Sequence, residues 1–378
     1  MTRTLEILER LVAFDTVSDR SNLALIDYVQ DLLRAQGFAV TRVPDPTGKK
    51  AGLFASIGPE GAGVLLSAHT DVVPVAGQAW TREPFALTWE DDRLYGRGTT
   101  DMKGFLAAML AAAERAAQTP LREPLKLAIS YDEEVGCLGI AHMIGGMKAA
   151  IGLPRACIVG EPTQMQVAIG HKGKQALRAV CHGQAGHSAQ APQFTNALHL
   201  AAGFITELRR VQDGLAAHGA QDTAYDVPCS TVHVGRLAGG TALNIVPDRA
   251  DMALEFRHLA ADNPDDLLAR IMAAAGRAAA PFGDSGQIEV EPLTAYPGLA
   301  TAPDAPVVAW AQGLAGQTGT TKVGFGTEAG FFDALGIPSV VCGPGSMTGQ
   351  GHKPDEFITR DQLEKCDSML ARLVASLG

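Results

Sequence analysis

The sequence lacks several patterns that would assign a function at once. It contains no G-x-S-x-G nucleophile elbow, no phosphate-binding P-loop and no dinucleotide-binding glycine fingerprint in a fitting context. Its six cysteines are scattered and form no C-x-x-C pair. We therefore expect buried, reduced thiols rather than disulfides or a thiolate metal site.

Long apolar runs and an excess of positive charge are also missing. No apolar run is long enough to span a bilayer, and the first residues lack the apolar segment and cleavage site of a secretion signal. The net charge of −10 disfavours binding to nucleic acid or to an anionic membrane. These absences predict a soluble, cytoplasmic protein.

A length of 378 residues suggests two domains, and the first part of the chain alternates strand and helix patterns. Apolar runs at 63–69, 125–131 and 156–160 are typical of strands buried on both faces, with a strong helix pattern at 103–118 between them. A fourth such strand is expected at 337–343. The alternation predicts an α/β domain with a mixed, largely parallel sheet.

The middle of the chain has a different order of elements. Strand patterns near 172–183, 229–237, 247–258 and 286–293 are combined with helix patterns near 195–213 and 264–280. The resulting βαββαβ order is that of a ferredoxin-like module. We therefore predict a catalytic domain of residues 1–172 and 297–378, with residues 173–296 inserted into it.

Polar residues that bind metals well follow the predicted strands. His69 and Asp71, in "SAHTDVVP", come at the end of the first strand. His69 is either a metal ligand or a core histidine whose ring nitrogens have hydrogen-bond partners, and Asp71 could orient its imidazole. Asp101, in "GRGTTDMKG", precedes the long helix, where it could cap the helix or bridge two cations.

Adjacent glutamates follow the second strand, where a solvated surface pair is unexpected. Side chains of consecutive residues diverge, so of Glu133 and Glu134 one could bind a metal while the other acts as general base on a water. Glu161 follows the third strand, and His352 lies in the glycine-rich loop after the fourth. Taken alone, Glu161 could belong to a proline turn and His352 to an exposed loop.

Together these residues predict a two-metal hydrolase site, because the carboxyl ends of parallel strands meet at one edge of a sheet. The oxygen and imidazole ligands suit zinc, cobalt or manganese.

The same stretches resemble the M20 family of metallopeptidases and deacylases, and the likeness covers essentially the whole chain. It is carried by "HTDVVP", "LYGRGTTDMKGF", "DEE", "GEPT", "HKG", "GHSA", "GTEA" and "GPGS…HKPDE". The resemblance implies a zinc-peptidase-like three-layer sandwich. It also implies that the inserted module serves as a lid and as the interface of a homodimer.

The resemblance further implies two divalent ions, most often zinc, with cobalt as a working substitute. Their ligands would be His69 and Glu161 for one ion, Glu134 and His352 for the other, and Asp101 as the bridge. Glu133 would be the general base and acid, with Asp71 behind His69.

Residues of the inserted module and of the "GTEA" motif are also assigned by resemblance. His187 in "GHSA", otherwise a turn histidine, would stabilise the oxyanion, and could act from the partner subunit. Arg257, otherwise an exposed ion-pair residue, would clamp the substrate carboxylate with help from Asn244. The substrate pocket would also be lined by Gly326, Thr327 and Glu328, and Glu328 could face a substrate ammonium.

The activity implied is hydrolysis of N2-acetyl-L-ornithine to L-ornithine and acetate, a step of arginine biosynthesis, by a metal-activated water. Desuccinylases of the family carry a "TSDGRF"-like stretch where this chain has "GTEAGFF", which favours the acetylated substrate. Succinyl-diaminopimelate, N-acetylcitrulline, other N-acyl amino acids and dipeptides remain open as substrates. A metal-binding protein without catalytic activity is the alternative from another class.

Overall fold

The computed structural model describes residues 2–378 and divides into two compact units. The first unit runs to His171 and resumes at Leu299–Val323 and Thr327–Gly378. The second unit comprises Lys172–Gly298 and Gly324–Gly326. Within residues 2–378, no helix combines the length and the apolarity needed to cross a bilayer.

The first unit opens with alternating helices and strands. Its helices are α1 (Arg3–Val12), α2 (Leu23–Ala35), α3 (Lys103–Ala117), α4 (Leu138–Met143) and α5 (Met147–Ile151). Its strands are β1 (Ala39–Pro44), β2 (Ala51–Ile57), β3 (Val64–His69), β4 (Thr88–Glu90), β5 (Arg93–Tyr95), β6 (Leu125–Ser130), β7 (Ala156–Pro162) and β8 (Ala168–His171).

The second unit contains two long helices and six strands. The helices are α6 (Ala197–His218) and α7 (Pro264–Ala279). The strands are β9 (Gly173–His182), β10 (Gly186–His187), β11 (Thr231–Gly239), β12 (Ile245–Val246), β13 (Arg249–His258) and β14 (Gln287–Tyr296).

The chain then completes the first unit. Its last helices are α8 (Pro306–Ala315), α9 (Ala329–Ala334) and α10 (Arg360–Ser376). Its last strands are β15 (Leu299–Ala300), β16 (Thr321–Val323), β17 (Ser339–Gly343) and β18 (Phe357–Thr359). Short 3-10 turns lie at Ile144–Gly146, Ser188–Gln193 and Ala280–Ser285.

A nine-stranded sheet forms the centre of the first unit. Its order is β1-β2-β6-β3-β7-β17-β8-β15, with β16 beside β8. The four central strands β6, β3, β7 and β17 are parallel, whereas β1 and β2 are antiparallel to their neighbours. The predicted mixed, largely parallel sheet is thus confirmed.

The central strands are buried along their whole length because helices pack against the sheet. Every residue of β3, β6 and β7 is buried. Helix α3 is itself embedded in the core through Phe105, Leu106, Met109 and Leu110. A rigid sheet edge of this kind holds the side chains at its strand ends in fixed positions.

The second unit is built on a four-stranded antiparallel sheet of order β11-β13-β9-β14. Helices α6 and α7 pack on it, so the chain follows the predicted βαββαβ order. Along β13, Met252, Leu254 and Phe256 are buried and alternate with more exposed charged residues. This alternation gives the sheet one apolar face and one polar face.

Candidate metal centre

The ends of adjacent parallel strands bring the predicted ligands together in the first unit. His69 is the last residue of β3 and pairs with Ser130, the last residue of β6. Glu133 and Glu134 follow three and four residues later along the chain. On the other side of β3, Ser67 pairs with Val159 of β7, which places Glu161 beside His69. The parallel register therefore collects three segments at one edge.

Asp101 lies between two imidazoles. Its Oδ1 is 3.1 Å from His69 Nε2, and its Oδ2 is 3.2 Å from His352 Nε2. The residue that precedes α3 is Met102, and that position has no side-chain hydrogen bond to the helix. The geometry therefore decides against the helix-cap interpretation of Asp101 and places its carboxylate at the centre of the cluster.

Each imidazole also meets a second carboxylate. His69 Nε2 is 3.6 Å from Glu161 Oε1, and His352 Nε2 is 2.9 Å from Glu134 Oε2. All of these side chains are buried except that of His352, which is 45% exposed. The cluster thus consists of two imidazole–carboxylate pairs that share Asp101.

The electrostatics of the cluster are dominated by buried negative charge. Burial raises the pKa of Glu133 and of Glu161 well above the usual range, and the charge of Asp101 raises both further. Burial likewise raises the pKa of Glu134 to about 7, with Asp101 adding to the shift. Hydrogen bonds to Asp101 and Glu134 raise the pKa of His352 to about 10.

The donor atoms fit a divalent cation. Glu134 Oε1 and Glu161 Oε1 are buried and accept no hydrogen bond from any residue in 2–378. Leaving a buried carboxylate oxygen without a partner is unfavourable, and a cation removes that penalty. Ligand atoms of His69, Asp101 and Glu134, and likewise of His69, Glu133 and Glu161, lie within 4.8 Å of one another. Oxygen and imidazole donors of this kind suit zinc, cobalt or manganese.

The orientation of His69 comes mainly from a backbone carbonyl. Its Nδ1 is 2.9 Å from the carbonyl oxygen of Asp71 and 3.5 Å from the Asp71 carboxylate. If Nδ1 carries the proton and donates to the carbonyl, Nε2 presents its lone pair towards Asp101, as metal ligation requires.

The carboxylate of Asp71 serves mainly another purpose, which sequence reasoning missed. It accepts the backbone N–H groups of Glu133 at 3.0 Å and Glu134 at 3.2 Å, and the Ser18 hydroxyl at 2.8 Å. Asp71 thereby fixes the main chain that carries both glutamates. The only sequence signal was the His-x-Asp spacing, which indicated that Asp71 lies close by and not what it holds.

Glu328, predicted to line the substrate pocket, is a buried hydrogen-bond acceptor in the first unit. The residue is 1% exposed, its Oε2 accepts the Ser67 hydroxyl at 3.1 Å, and its Oε1 accepts the Ser130 hydroxyl. Burial raises its pKa, and these hydrogen bonds oppose the shift. The carboxylate of Glu328 thus holds the ends of β3 and β6, and its substrate-facing role stays a prediction.

Thr327 is likewise buried, and its hydroxyl accepts the backbone N–H of Ala329 at 3.1 Å. This contact fixes the turn into α9, and the pocket-lining position of Thr327 stays a prediction.

Replacing Glu328 with alanine is expected to destabilise the first unit by about 2 to 4 kcal/mol, because two buried hydroxyls lose their acceptor and a cavity remains. The measurement is the urea dependence of unfolding. The triple replacement of Glu328, Ser67 and Ser130 by alanine should recover part of that loss, since no donor is then left unpaired. A Glu328→Ala protein as stable as the wild type would contradict this assignment.

The remaining predicted site residues belong to the second unit. His187 pairs with Ile245, and its Nδ1 accepts the Ala189 N–H at 3.1 Å, which leaves the proton on Nε2. Arg257 is half-buried and donates from Nε to Glu255 at 3.0 Å.

Asn244 and Gly326 complete this group in the second unit. Asn244 is exposed, and its carbonyl accepts the Ser188 N–H at 3.0 Å. A Cβ on Gly326 would come within 2.1 Å of the Tyr296 hydroxyl oxygen, so a side chain there would displace that ring.

Comparison with known proteins identifies the family. The sequence profile of Peptidase family M20/M25/M40 matches residues 65–376. The chain belongs to this family, and it is a metallohydrolase of the class that cleaves linear amides. Its resemblance to the family, read from the motifs, is confirmed.

Two curated relatives cover nearly the full length. An acetylornithine deacetylase from Klebsiella pneumoniae (strain 342) is 33% identical over 380 residues, which is 98% of this chain and 96% of the relative. An acetylornithine deacetylase from Myxococcus xanthus is 34% identical over 377 residues, covering 97% of this chain and 96% of the relative.

Solved structures share the fold at lower sequence identity. An M20 family metallo-carboxypeptidase from Sulfolobus solfataricus aligns over 99% of both chains, with a TM-score of 0.79 and 21% identity. A tripeptidase from Staphylococcus aureus aligns over 99% of this chain and 98% of its own, with a TM-score of 0.79 and 20% identity. At these identities the likeness shows the fold alone.

Proposed function

We propose that this protein hydrolyses N2-acetyl-L-ornithine to L-ornithine and acetate with the help of two divalent ions, zinc or cobalt. The observation that carries the proposal is the pair of imidazole–carboxylate contacts that share Asp101, in a chain 33% identical to acetylornithine deacetylases over nearly its whole length. The reaction would belong to arginine biosynthesis, and a cytoplasmic location is part of the same proposal.

Five side chains would hold the two ions. His69 and Glu161 would hold one, Glu134 and His352 the other, and Asp101 would bind both. The unpaired oxygens of Glu134 and Glu161 support this assignment, because each is buried and available for a cation. Bound divalent ions supply Lewis acidity and lower the pKa of water towards neutrality.

Glu133 would handle the proton. Its side chain is partly buried beside the cluster, and the backbone N–H that Asp71 accepts fixes its main chain. It would take a proton from the attacking water and return it to the leaving amine of the substrate. A carboxyl group whose pKa is raised by burial is suited to both halves of that exchange.

Residues of the second unit would recognise the substrate. The Nε2–H of His187 is a donor suited to an oxyanion, and it would act in the homodimer that the family resemblance implies. The guanidinium of Arg257, oriented by Glu255, would pair with the substrate carboxylate. Asn244 would assist Arg257 in this contact, and Gly326 would line the substrate pocket.

Kinetics on a panel of substrates test the proposal. Zinc- or cobalt-loaded protein should hydrolyse N2-acetyl-L-ornithine with a kcat/KM about tenfold to a few hundredfold above that for N-acetylcitrulline, succinyl-diaminopimelate or a dipeptide. A higher kcat/KM for succinyl-diaminopimelate or for a dipeptide would show that the preferred substrate is a different one, although the class of reaction would be the same. No hydrolysis of any member would favour a binding protein without catalytic activity.

A further inference from the structure

A buried carboxylate outside the ligand set holds the segment that carries Asp101. Glu356 is 1% exposed, and its Oε1 accepts the backbone N–H groups of Thr100 at 2.8 Å and Asp101 at 3.1 Å. Its Oε2 accepts the N–H of Gly98 at 3.0 Å and Nη1 of Arg97 at 2.8 Å. One side chain thus fixes the amide of the residue at the centre of the cluster.

The partner of Glu356 reaches the loop that carries His352. Arg97, also 1% exposed, donates to the Lys353 carbonyl at 3.4 Å and to Oε1 of Gln78. Nε2 of Gln78 in turn donates to the carbonyl oxygen of His352 at 3.0 Å. Glu356, Arg97 and Gln78 therefore form a positioning network that joins the main chain at Asp101 to the main chain at His352.

His352 depends on such contacts because local structure does not place it. It lies outside the regular strands and helices, and its φ of +62° is a backbone conformation that residues other than glycine rarely adopt. Surrounding contacts have to hold a residue in that conformation. The strand pairing between Tyr95 and Phe357 brings the segment before Asp101 close to the segment after His352. The network then fixes the position of the loop that carries His352.

Stability alone is a poor explanation for this network. A buried ion pair such as that of Arg97 and Glu356 gives little net stability compared with apolar side chains of similar size, because both charges are desolvated. What the pair does provide is a fixed geometry, since both carboxylate oxygens of Glu356 and both terminal nitrogens of Arg97 have defined partners. Partners of metal ligands have this role in metal sites generally.

We propose that the positioning network sets the spacing of Asp101 and His352, and thereby the affinity of the metal position that these two residues share with Glu134. The proposal rests on the proposed function, because it assumes that the cluster binds two ions. It predicts that damage to the network weakens the position of His352 and Glu134 more than the position of His69 and Glu161, because the network reaches His352 as well as the shared Asp101.

Calorimetric titration of chelator-stripped protein with zinc chloride tests the proposal. Glu356→Gln should weaken zinc binding at the His352 position by about 10- to 100-fold, because one oxygen becomes an N–H₂ group that faces backbone donors. Gln78→Ala removes only the hydrogen bonds of a half-buried side chain and should weaken the same step by about fivefold. His352→Ala identifies the binding step that belongs to this position, because it removes one of its ligands. Gln317→Ala is the matched control, since Gln317 is a half-buried glutamine that follows α8.

The outcomes separate the inference from the proposed function. Wild-type protein that binds fewer than two ions would contradict the proposed function, and the inference with it. Wild-type protein that binds two ions, with both steps unchanged in Gln78→Ala and Glu356→Gln, would overturn the inference alone. Equal weakening of both steps would also overturn it, because the network would then support the fold in general. If Glu356→Gln does not fold, Gln78→Ala decides.

Discussion

Glu133→Gln is expected to lower kcat by about a hundredfold to ten-thousandfold without changing the number of metal ions bound. The amide keeps the size of the side chain but has no carboxylate to take a proton from water. Asp71 holds the main chain of Glu133 through a backbone N–H, so the replacement should leave the local structure in place. The measurements are steady-state kinetics on N2-acetyl-L-ornithine and metal content by atomic emission.

A surface replacement of the same kind is the control for this prediction. Glu364→Gln alters an exposed glutamate on α10 that pairs with Arg360, and it should change neither kcat nor metal content. A Glu133→Gln protein that retains most of its kcat would contradict the assignment of the base. Loss of an ion together with activity would instead make Glu133 a ligand, as its proximity to His69 and Glu161 permits.

Asp101→Asn is expected to have the larger effect, with loss of at least one ion and at least about a thousandfold loss of kcat/KM. The carboxylate lies between His69 Nε2 and His352 Nε2, at 3.1 and 3.2 Å. The amide carries no charge and turns an N–H₂ group towards one of the two positions, so it cannot neutralise and bridge two cations. Without a bound cation, the pKa of the attacking water returns towards its much higher value in bulk water.

Metal analysis and kinetics on the same preparation measure this effect. Asp361→Asn, an exposed position on α10 that pairs with Lys365, is the matched control and should keep both ions and full activity. An Asp101→Asn protein that retains both ions and its activity would show that Asp101 is not the shared ligand.

The cluster of polar residues at the strand ends could be predicted from the sequence because its signals are local. His69, the Glu133–Glu134 pair and Glu161 follow apolar strands, and polar residues in those places are otherwise hard to explain. The sequence alone is compatible with two interpretations of Asp101, since a carboxylate before a helix is typical of a cap as well as of a ligand. Only the distances to the two imidazoles separate them.

The supporting contacts could not be predicted because they join distant parts of the chain. Glu328 contacts Ser67, 261 residues away, and Glu356 contacts Gly98, 258 residues away. Nothing in the local sequence of "GTEA" or "HKPDE" distinguishes a buried acceptor from a residue that faces substrate. The substrate-facing role of Glu328 rests on resemblance alone and stays a prediction, whereas its contacts with two serine hydroxyls are visible only in the structure.

Crystals of the protein grown with zinc, and measured at the zinc absorption edge, test the central claim most directly. We predict two anomalous peaks per chain, one in contact with His69 and Glu161 and the other with Glu134 and His352, and both in contact with Asp101. Data that show no peak in this cluster at saturating zinc, or a single peak that touches neither Asp101 nor His69, would contradict the account.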